Sequence, residues 1–218
     1  MKEWWRSLGE APVPLTPGER LAAWIVALLT AVTRWLAVSR SPWDWDEALF
    51  MLGLRHFSVP SHHPHPPGFP LFIGTAKVLT AIGFSDFHAL QAISFVAAIA
   101  IVPAMLFLGR ELRLSSRVSL IAGVFLAFFP NVWFFGGTAF SDVPSMTLVI
   151  VAVALFLRGC RSDASVLGAA IVLGIAAGYR PQNLTIAFAP AVIATLRGSP
   201  RRLAITAGAN AIVRFCGR

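Results

Sequence analysis

Charge is what this chain has least of. Ten acidic and 18 basic residues make up 13% of its 218 positions, where a soluble domain carries about a quarter. Cysteine is nearly absent. Cys160 and Cys216 lie far apart with no metal-ligand spacing, so neither a structural disulfide nor a cysteine metal site is expected. No internal repeat or low-complexity tract stands out. What the chain has instead is apolar residues, 56% of the total, with a mean hydropathy of +0.71. They come in long blocks rather than at a 3.6- or 2.0-residue alternation, the pattern of a polytopic membrane protein. The net charge of +8 does not point to nucleic acid. The basic residues form short clusters between apolar blocks, as topology signals do.

Residues 1–20, with Lys2, Arg6, Arg20 and several prolines, read as a short cytoplasmic tail. Residues 21–39 form the first span. The run is too long for a signal-peptide core and lacks a small-residue cleavage site, so it reads as an uncleaved signal anchor. Further spans are expected at 89–108, 118–135, 143–157, 164–177 and 184–196, with another beginning near Leu203. The fold class is therefore an all-α transmembrane helix bundle of about 6–7 spans, with an interfacial helix in its first outer loop.

Segment 69–83 decides the topology. It is short, preceded by prolines, and contains Lys77. If it crosses, "RELRLSSR" (110–117) falls opposite the basic N-terminus. If it lies in the interface or re-enters, every basic cluster falls on one side: Lys2/Arg6/Arg20, Arg110/Arg113/Arg117, Arg158/Arg161 and Arg197/Arg201/Arg202. The positive-inside rule favours the second arrangement, with a cytoplasmic N-terminus in the plasma (inner) membrane. The extracytoplasmic face then receives loop 40–88 and the turns 141–145 and 178–183. Those segments hold Asp44, Asp46, Glu47, His62, His63, His65, Lys77, Asp86, Asp142 and Arg180.

Within "WDWDEALF" (43–50), Asp44 and Glu47 have the spacing of an N-cap and its N3 partner. Phe50, Leu54 and Phe57 follow at i, i+4 and i+7, giving an amphipathic helix on the membrane surface. Capping accounts for Asp44 and Glu47 and leaves Asp46 over. In "SHHPHPPGFP" (61–70) the prolines favour extended backbone. The three histidines fit no standard metal site. His62 and His63 read as interfacial linker residues, and His65 as the candidate to touch a phosphate. "SDVPS" (141–145) places Ser141 or Asp142 as a helix cap or Asp142 as a functional acid. Arg180 either snorkels to headgroups or clamps a phosphate. Arg34, near the outer end of the first span, is expected to snorkel.

The series of a first uncleaved span, an outer loop with "WDEALF" and "HPPGFPLF", a basic cytoplasmic loop and a span headed by "SDVPS" resembles the N-terminal half of the GT-C superfamily of integral-membrane glycosyltransferases. The bacterial relatives of protein O-mannosyltransferases and lipid A aminoarabinose transferases are the most similar group, over residues 21–200. The resemblance implies a transmembrane transferase domain at 21–213, with a tail at 214–218. It implies transfer of a sugar from a polyprenyl-phosphate donor to a hydroxyl of a glycan, lipid or protein, with inversion, on the extracytoplasmic face. By that resemblance Asp46, in its Asp-Glu pair with Glu47, is the general base or orients the acceptor, and Asp142 is the second outer-loop acid. His65 stands where several relatives carry a basic residue before Pro-Pro. Arg180 matches no motif. On charge alone, His65, Lys77 and Arg180 are the candidates to hold the donor phosphate. A divalent metal is compatible with these acids and not required by them.

Relatives of this kind carry more spans and often a soluble C-terminal domain. The ending "NAIVRFCGR", with Arg214 and Arg218 in an apolar stretch, carries the expectation of a truncated product. Two other readings stay open. One is a transporter or lipid flippase, which calls for polar mid-span residues and broken helices. The other is a non-catalytic remnant.

Overall fold

Thr16 opens the first helix with a reciprocal cap. Its side chain accepts the Glu19 N–H, and the Glu19 carboxylate accepts the Thr16 N–H at 2.8 Å. Pro17 follows at the first helical position, where its missing N–H costs nothing. A computed structural model of the chain describes residues 10–196. The helices are α1 (Pro17–Ala37), α2 (Trp45–Arg55), α3 (Pro70–Ala81), α4 (Asp86–Glu111) and α5 (Ser116–Ala127). They continue as α6 (Pro130–Phe135), α7 (Asp142–Arg158), α8 (Asp163–Tyr179), α9 (Asn183–Ile186) and α10 (Phe188–Leu196). The described residues are helical with no strand, as the apolar blocks imply. The expected span near Leu203, the cluster at Arg197, Arg201 and Arg202, and the tail 214–218 lie outside them.

Two helices, α1 and α4, are long and apolar enough to cross a membrane, by length and composition. Long helix α4 is the hub. It packs against α1, α2, α3, α5 and α7, while α7 packs on α8 and α10. Small residues set the closest approach. A Cβ at Gly109 of α4 would lie 1.9 Å from Ser119 Oγ of α5, so that contact requires glycine. Farther along, Ala152 and Phe156 of α7 meet Ala169 and Leu173 of α8.

Polar contacts sort the bundle into two ends. At one end, Arg110 and Arg113 donate to the carbonyls of Val13 and Glu10. Ser116 hydrogen-bonds Glu19 there, and Arg161 pairs with buried Glu111. The start of α1, the end of α4 and the α7–α8 turn therefore lie together. At the other end, Gln91 Nε2 donates to the carbonyls of Ser39 and Gly137 at 2.7 and 3.0 Å. That end also carries α2 and α3. Helix α3 has 12 residues, about 18 Å, well short of a hydrocarbon core of about 30 Å. The basic residues 110–117 and the start of α1 thus share an end of the bundle.

The structure corrects three local expectations. The block 118–135 is two helices rather than one, because Pro130 forces Phe129 into extended backbone. The block 184–196 likewise divides at Ala187, between α9 and α10. Arg34 does not snorkel. It is fully buried, and its Nη2 donates to the carbonyl of Ala127, the last residue of α5, and at 3.5 Å to that of Val132 in α6. Gly136 lies against it, where a Cβ would come 2.7 Å from Arg34 Nε.

Candidate functional site

The head of α2 forms as its spacing implies. Asp44 is the N-cap, its carboxylate accepts the Asp46 N–H at 2.9 Å, and Glu47 completes the capping box. Glu47 does more than cap. Its Oε2 accepts the N–H groups of Trp43 and Asp44 at 2.8 and 3.3 Å, and its Oε1 accepts the N–H of Ala139 at 2.7 Å. The side chain is wholly buried. It fastens the first loop to the segment leading into α7 and presents no surface to a substrate. The apolar face of α2, with Phe50 and Leu54, enters the core beside Phe69, Phe72, Phe87 and Phe140. Phe57 lies beyond the helix end and stays partly exposed.

Asp46 points the other way. Its side chain is 46% exposed, with Oδ1 3.6 Å from His65 Nδ1. That separation is longer than a hydrogen bond. His65 Nδ1 is buried and has no hydrogen-bond partner. The His65 ring rests on Phe50 and Phe69, with centroids 5.3 and 4.9 Å away.

The segment that positions His65 is a folded turn rather than the extended backbone its prolines favour. Ser58 and His63 exchange both backbone hydrogen bonds, at 2.7 and 2.9 Å, and the Gly68 N–H returns to the His65 carbonyl. His62, Gly68 and Phe69 all take positive φ, at 57°, 94° and 48°. Positive φ is uncommon for phenylalanine. Phe69 is held there because its ring is 3% exposed and packed against Phe50 and His65.

From the opposite side, the turn after α8 delivers Arg180. Its Nη2 donates to Asp142 Oδ2 at 2.6 Å and its Nε to Ser141 Oγ at 3.0 Å, while its guanidinium lies 5.7 Å from the Phe69 ring centre. Ser141 and Asp142 were candidates to cap α7. Ser141 sits at the cap position but makes no side-chain cap hydrogen bond, because its hydroxyl serves Arg180. Burial pushes the Asp142 carboxyl above its ordinary value, Arg180 opposes this, and the charge of Asp46 adds to the upward push. The two acids therefore feel one another across the site. Tyr179 braces this wall, donating to Thr75 Oγ1 at 3.0 Å and stacking near Phe72.

The site thus gathers Asp46, His65, Asp142 and Arg180 around Phe69, from four separate stretches of sequence. Lys77 is not among them: it is exposed on α3, and its side chain makes no hydrogen bond or ion pair among the described residues. Ser141 and Phe69 are additions. Ser141 carries a signal in hindsight, being the residue beside an acid at a helix head. Phe69 carries none, since its role depends on a backbone turn. Among the described residues no group of three or more His, Cys, Asp and Glu gathers as a metal ion requires. Comparison with protein-family models, with curated proteins and with solved structures finds no match to this chain.

Proposed function

We propose that this chain is a polytopic membrane glycosyltransferase of the GT-C type, moving a sugar from a polyprenyl-phosphate donor to a hydroxyl acceptor on the extracytoplasmic face. In this reading α1, α4, the α5–α6 pair, α7, α8 and the α9–α10 pair are spans, and α2 and α3 lie at the outer interface. The observation that carries it is the convergence of a half-exposed carboxylate, Asp46, with a second acid, an arginine and a histidine at one end of an apolar bundle. Asp46 is placed to take the acceptor proton as the acceptor oxygen bonds to the sugar carbon and the bond to phosphate breaks. The phosphate leaves with the electron pair, Arg180 is the cation near enough to hold its charge, and the His65 ring is placed to hydrogen-bond it. Asp142 keeps the Arg180 fork aimed into the site.

A transporter calls for a charge inside a span and for broken helices, and both occur here. They meet each other, however: Arg34 bonds the carbonyls of the α5–α6 break. Arg34 is fully buried against that break and has no exposed surface to line a pathway.

The test is turnover of a radiolabelled polyprenyl-phosphate hexose by the purified chain in liposomes. Asp46→Asn is expected to lower transfer by about 100-fold or more with its melting temperature unchanged. Wild-type turnover in that variant removes Asp46 from the mechanism, and solute counterflow without sugar transfer replaces this reading with the transporter.

A further inference from the structure

A groove of about 670 Å³ runs between the end of α1 and the beginning of α4, roofed by the turn at residues 82–85. It shares no lining residue with the cluster around Asp46. Its walls change character along its length. Arg40 and His88 stand at the helix ends, and Trp35, Val38, Phe95 and Val96 line the part farther down. From His88 to Val96 the distance along α4 is about 12 Å. The Trp35 and Phe95 rings meet edge to face across the floor, at 6.2 Å. Trp35 and Val96 remain 70% and 65% exposed, so the groove is apolar and open along its side.

The charge at the mouth is of one sign. No acid lines the groove. Asp86, the nearest acid in sequence, is held by Arg55 at 2.7 Å. Arg40 is exposed and makes no hydrogen bond or ion pair among the described residues. His88 uses Nδ1 on Ser85 Oγ at 2.7 Å, and Nε2 is left over. The two helices that form the walls are also the two long and apolar enough to cross a membrane. A side-open apolar slot between two such helices, closed at one end by the unpaired Arg40 guanidinium and the His88 imidazole, complements a molecule with an anionic head and a hydrocarbon chain.

We propose that this groove holds one anionic membrane phospholipid, its phosphate at Arg40 and His88 and one acyl chain along Trp35, Phe95 and Val96. It is a resident lipid site, separate from the reacting centre. The proposal shares with the glycosyltransferase reading only the placement in a membrane.

The test is native mass spectrometry of the full chain released from nanodiscs containing equal phosphatidylglycerol and phosphatidylcholine with identical acyl chains. Wild type is expected to retain one phosphatidylglycerol. Arg40→Gln is expected to lose that preference by about 10-fold, with Arg20→Gln at the opposite end as a neutral control. Ala92→Phe, which fills the groove, is expected to lose both lipids. Equal retention of the two lipids by wild type, or an unchanged preference in Arg40→Gln, overturns the site. Displacement of phosphatidylglycerol by equimolar polyprenyl phosphate overturns the choice of occupant. Sugar transfer measured on the same samples separates the two readings: intact transfer with no lipid preference sinks the groove alone. A chain that stays out of the bilayer sinks both.

Discussion

Asp46 and Glu47 are neighbours in sequence and opposites in environment. Glu47 accepts three backbone N–H groups and sees no solvent. Glu47→Ala leaves the Ala139 N–H without its acceptor, and is expected to cost about 3 kcal/mol, read as a drop in thermal midpoint. Asp46→Asn should leave that midpoint in place. A stable Glu47→Ala protein would show that the carboxylate is not the fastener between the two segments. Asp142, one residue ahead of the apolar run 143–157, gives a pH signature. Its carboxyl is raised above 3.8 chiefly by burial, so the folded state binds that proton more tightly than the unfolded chain does. Its contribution to stability is full below 3.8 and is lost as pH rises through the raised value. The melting-temperature difference, wild type minus Asp142→Asn, should therefore decline as pH increases from 3.8. A flat difference contradicts the upward shift of this half-buried acid. Of these residues, sequence spacing makes the cap legible. It does not make Ala139 legible as Glu47's third partner, since that contact joins positions 92 apart.

At the scale of the element, apolar block length locates the helices and fails at their interruptions. Pro103 sits within α4 without ending it, whereas Pro130 separates α5 from α6. The difference lies in what satisfies the freed carbonyls. At Pro130 the Leu126 carbonyl turns to the Phe129 N–H, and the next carbonyl, of Ala127, is taken by Arg34 on another helix, so no local reading separates the two prolines. Helix contacts are equally nonlocal. Gly109 and Ser119 face each other across the α4–α5 hairpin, with room for no Cβ at Gly109. Gly109→Ala is expected to destabilise by about 1–3 kcal/mol, and Ser119→Gly in the same chain should recover much of the loss. Two additive losses in a thermal denaturation cycle would show that the helices do not touch there.

For the whole molecule, charge distribution is the informative signal. The basic clusters at 110–117 and 158–161 gather with the start of α1, where Glu19 and Glu111 answer part of their charge, and Asp46, His65, Asp142 and Arg180 gather at the opposite end. That division was legible, because each cluster interrupts an apolar block. How the four segments of the site meet was not, since Asp46–His65 and Asp142–Arg180 are set by α2, the 58–69 turn and the end of α8 acting together. Single cysteines at Ser61 and Ser85, in a chain lacking Cys160 and Cys216, should both react with an impermeant maleimide from the same side of a sealed vesicle. Labelling from opposite sides would mean that α3 crosses.

The bond from Glu47 to the Ala139 N–H has a kinematic consequence. Asp46 is the residue before Glu47, and Asp142 is three residues beyond Ala139. One carboxylate therefore ties together the carriers of both acids. The head of α2 cannot draw away from the segment before α7 without breaking that buried hydrogen bond, so the distance between the two acids is set by a contact that neither of them makes.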